Sequence, residues 1–154
     1  MPNPNTNFSN GAVLTAAQQN RFPRGVMTLT YQTNSDATIT AEEVQITGPS
    51  FTAISNRYYR VTYYEPYLSA NASTIFTMRI RLGNIAGGIW QTNNVINTIG
   101  NVFFGTSGIS QALVSGISGT QNFVGTLAAS SGTGNASRSG TQYGFLLVED
   151  IGPT

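Results

Sequence analysis

The sequence contains no histidine, no cysteine and no lysine, the residue types on which much enzyme chemistry depends. Their side chains supply most of the tunable acids, bases, nucleophiles and soft metal ligands. The absence of cysteine excludes a disulfide framework and any thiolate metal site. The seven cations are arginines, which stay charged at neutral pH and cannot act as bases. We therefore predict a binding or structural chain with no enzyme activity, no cofactor and no metal site.

Charge is also scarce, because only 8% of the residues are charged, against about 25% in a typical domain. A surface built instead from Ser, Thr, Asn, Gln and Gly favours association between copies, and a net charge of +1 gives little repulsion. The arginines are too sparse for a nucleic-acid interface. No basic-then-apolar leader and no long apolar run are present, so we predict neither Sec-type export nor membrane insertion.

The chain divides into a short arm and one domain. Residues 1–11 are rich in Pro, Asn, Thr and Ser, which predicts a tail that is disordered or laid on a partner. Thr15 is a candidate helix N-cap, and Pro23 ends that helix near Phe22, after fewer than three turns. We predict an N-terminal anchor arm with a short helix over residues 1–24, and a β-domain over residues 25–154.

From residue 25 onward, the two-residue alternation of strands recurs between turn signals. The clearest strands are 57–64 and 73–82, and we predict that they form an antiparallel pair. In the first, Tyr59, Val61 and Tyr63 share one face, while arginines and the other tyrosines share an outer surface. Further strands are predicted at 25–33, 37–47, 101–104, 109–117, 122–129 and 143–148, with a flexible tip at 130–140. This pattern predicts a mainly β fold, an antiparallel β-sandwich of jelly-roll type.

Six carboxylates are the remaining acid–base groups: Asp36, Glu42, Glu43, Glu65, Glu149 and Asp150. Glu42 and Glu43 are adjacent on a predicted strand, so they face opposite sides and form no catalytic pair. A glycosidase needs two carboxylates across a cleft, and the sequence leaves open whether Glu65 meets another in space. Solvated or Arg-paired carboxylates are the favoured interpretation. The spacing of Asp36, Glu42 and Glu43 matches no known calcium loop.

Aromatic residues provide the second set of candidates. Exposed Tyr with Arg is typical of recognition surfaces, and exposed aromatic rings stack on sugars. The alternative, which we favour, places one face of the tyrosine strand in the core and the other at a subunit contact. Trp90 is likewise either a sugar platform or a core or interface residue. The candidate oligomer or receptor surface comprises Tyr58, Arg60, Tyr64, Arg79, Arg81 and Trp90.

Three segments form a recognisable set: FSNGAVLTAAQQNRFPRGV at 8–26, RYYRVT at 57–62, and LLVEDIGP at 146–153. The first combines an aromatic start, a Val-Leu-Thr-Ala-Ala run and a Pro-Arg-Gly turn before a β-domain. Together they resemble small structural virion proteins of tailed bacteriophages. The resemblance covers both ends and one inner strand, and residues 83–140 carry none of it.

The resemblance implies a head fibre, a capsid decoration protein or a tail-associated subunit, with an N-terminal anchor and a jelly-roll domain, often in trimers. We therefore expect a virion protein assembled in the host cytoplasm, whose partners are the major capsid protein or a tail or portal-region protein. The anchor residues would be Phe8, Val13, Leu14, Gln18, Arg21 and Phe22. The alternative is a glycan-binding module for host attachment, and a depolymerase-type hydrolase using Glu65 is a third hypothesis.

Overall fold

The computed structural model describes residues 11, 13, 15–97 and 105–154. Within these residues the fold is mainly β, with one helical turn, α1, at Ala16–Gln19. Strands follow at β1 Gly25–Gln32, β2 Asp36–Ile39, β3 Glu43–Thr47, β4 Phe51–Ala53, β5 Arg57–Ala70, β6 Thr74–Leu82, β7 Ile89–Asn97, β8 Thr106–Val114, β9 Gly119–Gln121, β10 Phe123–Ala129, β11 Gly134–Ala136 and β12 Gly144–Pro153. The mainly β prediction is therefore confirmed.

Two antiparallel sheets form the body of the domain. The six-stranded sheet has the order β1-β12-β5-β11-β2, and β8 pairs with the other edge of β5. The four-stranded sheet has the order β3-β10-β6-β7, and β4 pairs with β9 in a small ribbon. Asn93 Nδ2 donates to the Ile109 carbonyl at 2.6 Å, and Gln32 Nε2 donates to the Gln45 carbonyl at 3.3 Å. These bonds join the sheets at their edges, so the sheets curl into a half-barrel.

One hydrophobic core lies between the two sheets. β5 contributes Tyr59, Val61 and Tyr63, as the alternation predicted, and β6 contributes an equally buried row of Phe76, Met78 and Ile80. Burial of each large apolar side chain contributes about 1.5–3 kcal/mol. Gly125 of β10 permits this packing, because a Cβ there would lie 2.7 Å from Cδ2 of Tyr63.

The predicted pairing of the two clearest strands is wrong. β5 lies in the six-stranded sheet and β6 in the four-stranded sheet, so the two strands face each other across the core. The predicted end of the first strand at Pro66 is also wrong, because β5 continues to Ala70. Pro66 falls at a shift of register between Glu65 and Leu68, where the ladder is irregular and a residue without an N–H is tolerated.

Four other predicted elements differ from the structure. The single strand expected at 37–47 is divided between β2 and β3, which belong to different sheets. β7 was not predicted, and the expected flexible tip contains β11 and the buried residue Arg138. The last strand extends beyond 148 to Pro153. The strand predicted at 101–104 lies outside the described residues, and α1 is a single turn, shorter than expected.

Candidate functional site

Every carboxylate of the chain accepts hydrogen bonds. Glu65 is fully buried and accepts from Nε and Nη2 of Arg138 at 2.7 and 2.6 Å, and from the Tyr63 hydroxyl at 2.6 Å. The other five carboxylates accept from the following donors: Glu42 from Arg79, Arg81 and Thr126; Asp36 from Thr38 and Gln45; Glu43 from Gln45; Glu149 from Arg60; and Asp150 from Arg57. The Arg-paired interpretation thus holds at Glu42, Glu65, Glu149 and Asp150.

The buried ion pair of Glu65 and Arg138 is the centre of a polar network inside the domain. Arg138 also donates to Gln45 Oε1 at 2.7 Å and to the Asn34 carbonyl at 2.9 Å. Burial and the adjacent Glu65 charge raise the pKa of Tyr63 well above its usual value. Burial lowers the pKa of Arg138, but the hydrogen bonds and charge of Glu65 outweigh it and raise that pKa. The network therefore joins strands of both sheets and leaves its tyrosine protonated.

A second buried arginine holds the base of the N-terminal arm. Arg57, 3% exposed, pairs with Asp150 through Nε and Nη2, the latter at 2.7 Å from Oδ1. Its Nη1 donates to the Asn20 carbonyl at 2.7 Å, and Nη2 donates to the Phe22 carbonyl at 2.6 Å. One guanidinium thus joins β5, β12 and the arm. We call this arrangement the arm clamp.

Of the described anchor residues, Val13 and Gln18 precede the arm clamp, and Arg21 and Phe22 lie at it. Gln18 forms a capping box with Thr15, in which the Thr15 N–H donates to Gln18 Oε1 at 2.9 Å. Val13 is 90% exposed and Arg21 is exposed, whereas Phe22 is half-buried next to the clamp. Phe8 and Leu14 lie outside the described residues. Among the described arm residues, the base at Asn20 and Phe22 is therefore held by the clamp and Val13 is exposed.

The outer face of the six-stranded sheet is largely apolar. Cross-strand register places Tyr31, Phe145, Tyr64 and Ile109 in one row across four strands. Leu29 and Leu147 lie in the next row, which continues with the polar pair Thr62 and Gln111. Leu113 lies beyond them, opposite Arg60. Leu113 is 60% exposed, and Tyr31 and Ile109 are each 54% exposed. We define the apolar face as Leu29, Tyr31, Tyr64, Ile109, Leu113, Phe145 and Leu147.

The strands at the two sides of the apolar face have reversed polarity. β1 turns Thr28 toward the core while exposing Leu29 and Tyr31. β8 turns Gly108, Ser110 and Ala112 inward while exposing Ile109 and Leu113. Thr28 Oγ1 and Ser110 Oγ are buried without a hydrogen-bond partner among the described residues. Although Val114 and Met27 still pack on the core, these two strands expose Leu29, Ile109 and Leu113 while they bury Thr28 and Ser110, which departs from an ordinary half-buried strand.

The outer face of the four-stranded sheet carries an ion network beside the exposed residues Ile75 and Ile96. Glu42 accepts from Arg79 Nη1 at 2.5 Å, from Arg81 Nε and Nη2 at 2.7 Å, and from the Thr126 hydroxyl at 2.6 Å. The hydrogen bonds from Arg81, with those from Thr126 and the charge of Arg79, lower the pKa of Glu42 to about 2. Arg79 and Arg81 are therefore ion-paired with Glu42 of their own chain. We call this set the ionic face.

The structure separates the predicted oligomer or receptor surface into three parts. Tyr58, Arg60 and Tyr64 share the outer side of the six-stranded sheet, whereas Arg79 and Arg81 belong to the ionic face. Trp90, 36% exposed, lies at a register shift in β7. A single Tyr–Arg surface is therefore wrong, because β5 and β6 are not paired. Sequence reasoning missed Leu29, Ile109 and Leu113; the alternation in β1 was visible, but not which side faced the core.

A polar cavity of about 590 Å³ opens where β5, β11 and β2 meet. Its lining residues are Ala37, Tyr67, Ser69, Ala70, Asn71, Thr133, Asn135 and Ser137. Tyr67 is 38% exposed and provides an aromatic ring beside hydroxyl and amide groups. This combination has the chemistry that recognises a polyhydroxylated ligand.

Comparisons with known proteins assign no family to the chain. No protein-family model matches it, and no curated protein matches it. Among the described residues, no group of three or more Asp and Glu is arranged to hold a metal ion. In the same part of the chain, every helix is too short or too polar to cross a membrane.

Proposed function

We propose that this chain is a structural protein of a tailed-phage virion, with no enzymatic role. Its N-terminal arm anchors it to the capsid or to a tail component, and its β-domain, a jelly-roll-like sandwich, self-associates, in the favoured case as a trimer. A head fibre or capsid decoration protein is favoured over a tail-associated subunit. The observation that carries the proposal is the arm clamp, which fixes the base of the arm to the β-domain through Arg57.

The clamp is suited to transmitting an anchoring contact. Arg57 holds two successive stretches of arm backbone, at Asn20 and Phe22, and is itself fixed by Asp150. Because Arg57 is buried, pulling the arm away would leave its Nη1 and Nη2 without these two carbonyl acceptors, although Asp150 would stay paired. A partner that binds near Val13 would therefore be connected to the β-domain through the clamp.

The engagement of the carboxylates supports a non-catalytic role. A general base needs a carboxylate within reach of substrate, often with a perturbed pKa near the working pH. Glu65 and Asp150 are buried against arginine, and the pKa of Glu42 is about 2. These groups are arranged to stabilise arginine rather than to exchange protons.

Removal of residues 1–14 tests the anchor. This deletion keeps Thr15, α1 and the arm clamp, so the β-domain is expected to stay folded while incorporation into particles is lost. In the full chain, Val13→Asn should reduce incorporation, whereas Ile85→Asn, at an exposed loop residue of the β-domain, should not. Particles are purified and the protein quantified by mass spectrometry. Full incorporation of the truncated chain would refute the anchor.

The polar cavity favours a second candidate, a glycan-binding module for host attachment. Tyr67 would stack on a sugar ring while the surrounding Ser, Thr and Asn groups bind its hydroxyls. Tyr67→Ala should abolish binding on a glycan array. Tyr143→Ala is the matched control, because Tyr143 is 39% exposed and lies outside this cavity. An array on which the unaltered chain binds no glycan would argue against this function.

A further inference from the structure

We infer that the apolar face is the surface through which this chain self-associates, packed against the same face of a second copy. This contact is two-fold, so it specifies a dimer in place of the trimer that the resemblance favours. The inference rests on the proposed self-association and assigns it to four strands, β1, β12, β5 and β8. It excludes the ionic face and the arm from the contact.

The reversed polarity of β1 and β8 indicates that a partner covers this face. An exposed Leu or Ile gains nothing from facing water, whereas its transfer into a contact is favourable by roughly 25 cal/mol for each Å² removed from water. Ile109 and Leu113 are more than half exposed while Ser110 and Ala112 between them are buried. Large apolar side chains on the outer side of a strand are typical of a sheet whose two faces are both covered. The core covers one side, and a partner is needed for the other.

The charges of the face fit another copy as the partner. Arg60 and Glu149 share the row of Leu113, and their Nε and Oε2 are 2.8 Å apart within the same chain. The pair leaves the surface close to neutral, so two identical faces meet without repulsion. A strongly charged partner would find no complementary charge here. The low overall charge of the chain points the same way.

The area of the face is suited to a weak contact. Four strands about 4.8 Å apart and three rows about 6.8 Å apart, the row of Arg60 included, give a footprint on the order of 400 Å² for each copy. Two faces thus cover about 800 Å² in projection, and their accessible area is larger because side chains stand above the sheet. This area is below the roughly 1,200 Å² of standard interfaces, in the range of weak and transient association. Tyr64 and Phe145, with ring centroids 5.2 Å apart, provide a packed aromatic centre.

The test measures native mass by sedimentation and light scattering from about 1 to 100 µM, a range that reports micromolar association. The unaltered full chain is expected to form an oligomer. Ile109→Thr with Leu113→Thr should weaken association about tenfold to a hundredfold. Leu29→Glu with Ile109→Glu should leave a monomer throughout this range. Ile75→Thr with Ile96→Thr is the matched control, since these residues are 40% and 67% exposed on the other sheet.

Circular dichroism of each variant verifies the fold, and substitutions at exposed positions are expected to preserve it. A lower mass in the face variants, with the control unchanged, supports the inference. An oligomer that survives Leu29→Glu with Ile109→Glu overturns the assignment to this face but leaves self-association standing. A monomeric unaltered chain overturns both, whereas the anchoring role is tested separately by incorporation into particles.

Discussion

The two sheets of this domain distribute charge and apolar surface differently. The six-stranded sheet buries two ion pairs, Arg57 with Asp150 and Glu65 with Arg138, and exposes the apolar face. The four-stranded sheet buries an apolar row and exposes the Glu42 ion network beside Ile75 and Ile96. The larger exposed apolar cluster therefore lies on the six-stranded sheet, and the larger exposed ion network on the four-stranded sheet.

The difference indicates that folding depends on the interior ion pairs, whereas assembly depends on the apolar face. Buried charges are tolerated only when they are paired and hydrogen-bonded, so the pairs of the six-stranded sheet hold specific strands and the arm in place. Ion pairs at a surface contribute less, because water screens them. Breaking an interior pair should thus disturb folding, whereas changing the apolar face should disturb assembly alone.

The largest effect is expected from Arg138→Ala. The substitution leaves Glu65 buried without its cation, so the free energy of unfolding should fall by about 4–5 kcal/mol. Urea unfolding monitored by circular dichroism measures this loss. Arg79→Ala is the control on the four-stranded sheet and should cost less than about 1 kcal/mol, since Arg81 still binds Glu42. Equal losses in the two variants would contradict the contrast between the sheets.

A somewhat smaller effect is expected from Arg57→Gln, at about 3 kcal/mol, because Asp150 loses its cation while the released arm carbonyls turn to water. Trypsin provides a second measurement, since every basic residue of the chain is arginine. Cleavage after Arg21 and Arg24 should accelerate once the clamp is lost. Arg60→Gln also removes one arginine but leaves the clamp intact. Similar cleavage in both variants would show that Arg57 does not hold the arm.

The ionic face should make stability depend on acid pH. Glu42 has a pKa of about 2 in the folded chain against an ordinary 4.5, so its contribution is complete above about pH 4.5 and is lost as pH falls toward 2. Glu42→Gln should therefore lower stability at pH 7 by on the order of 2 kcal/mol, and by much less near pH 2. Asp36 also has a pKa of about 2 in the folded chain, so part of the acid dependence of stability should remain in Glu42→Gln.

Urea unfolding from pH 2 to 7 tests this dependence on pH. A difference between the variant and the unaltered chain that stays constant across that range would contradict the ion network as its source.

The smallest effect on the folded chain itself is expected from Ile109→Thr. Because this side chain is 54% exposed, the free energy of unfolding at concentrations below association should change by less than about 0.5 kcal/mol. Ile80→Thr, on the fully buried row of β6, should cost several-fold more. Thermal unfolding at low concentration compares them. A large loss from Ile109→Thr in the monomer would place that residue in the core.

Several features were predictable from local sequence because short-range rules control them. The alternation in β5 identified Tyr59, Val61 and Tyr63 as one face, and the mainly β composition identified the fold class. The prediction of a flexible tip was wrong at Arg138. The surrounding Gly and Ser residues are typical of a loop, and the partner that buries Arg138, Glu65, is 73 residues away in the sequence. The arm clamp was equally invisible, since Arg57 and Asp150 are 93 residues apart.

The sequence by itself determined the chemistry available to this protein: no histidine, cysteine or lysine, few charges, and strands of alternating residues. Tertiary structure alone decided which side of each strand faces the core. Alternation separates two faces but does not say which one is inside, because that depends on the sheet to which the strand is added. The division of β5 and β6 between two sheets therefore created both the apolar face and the ionic face.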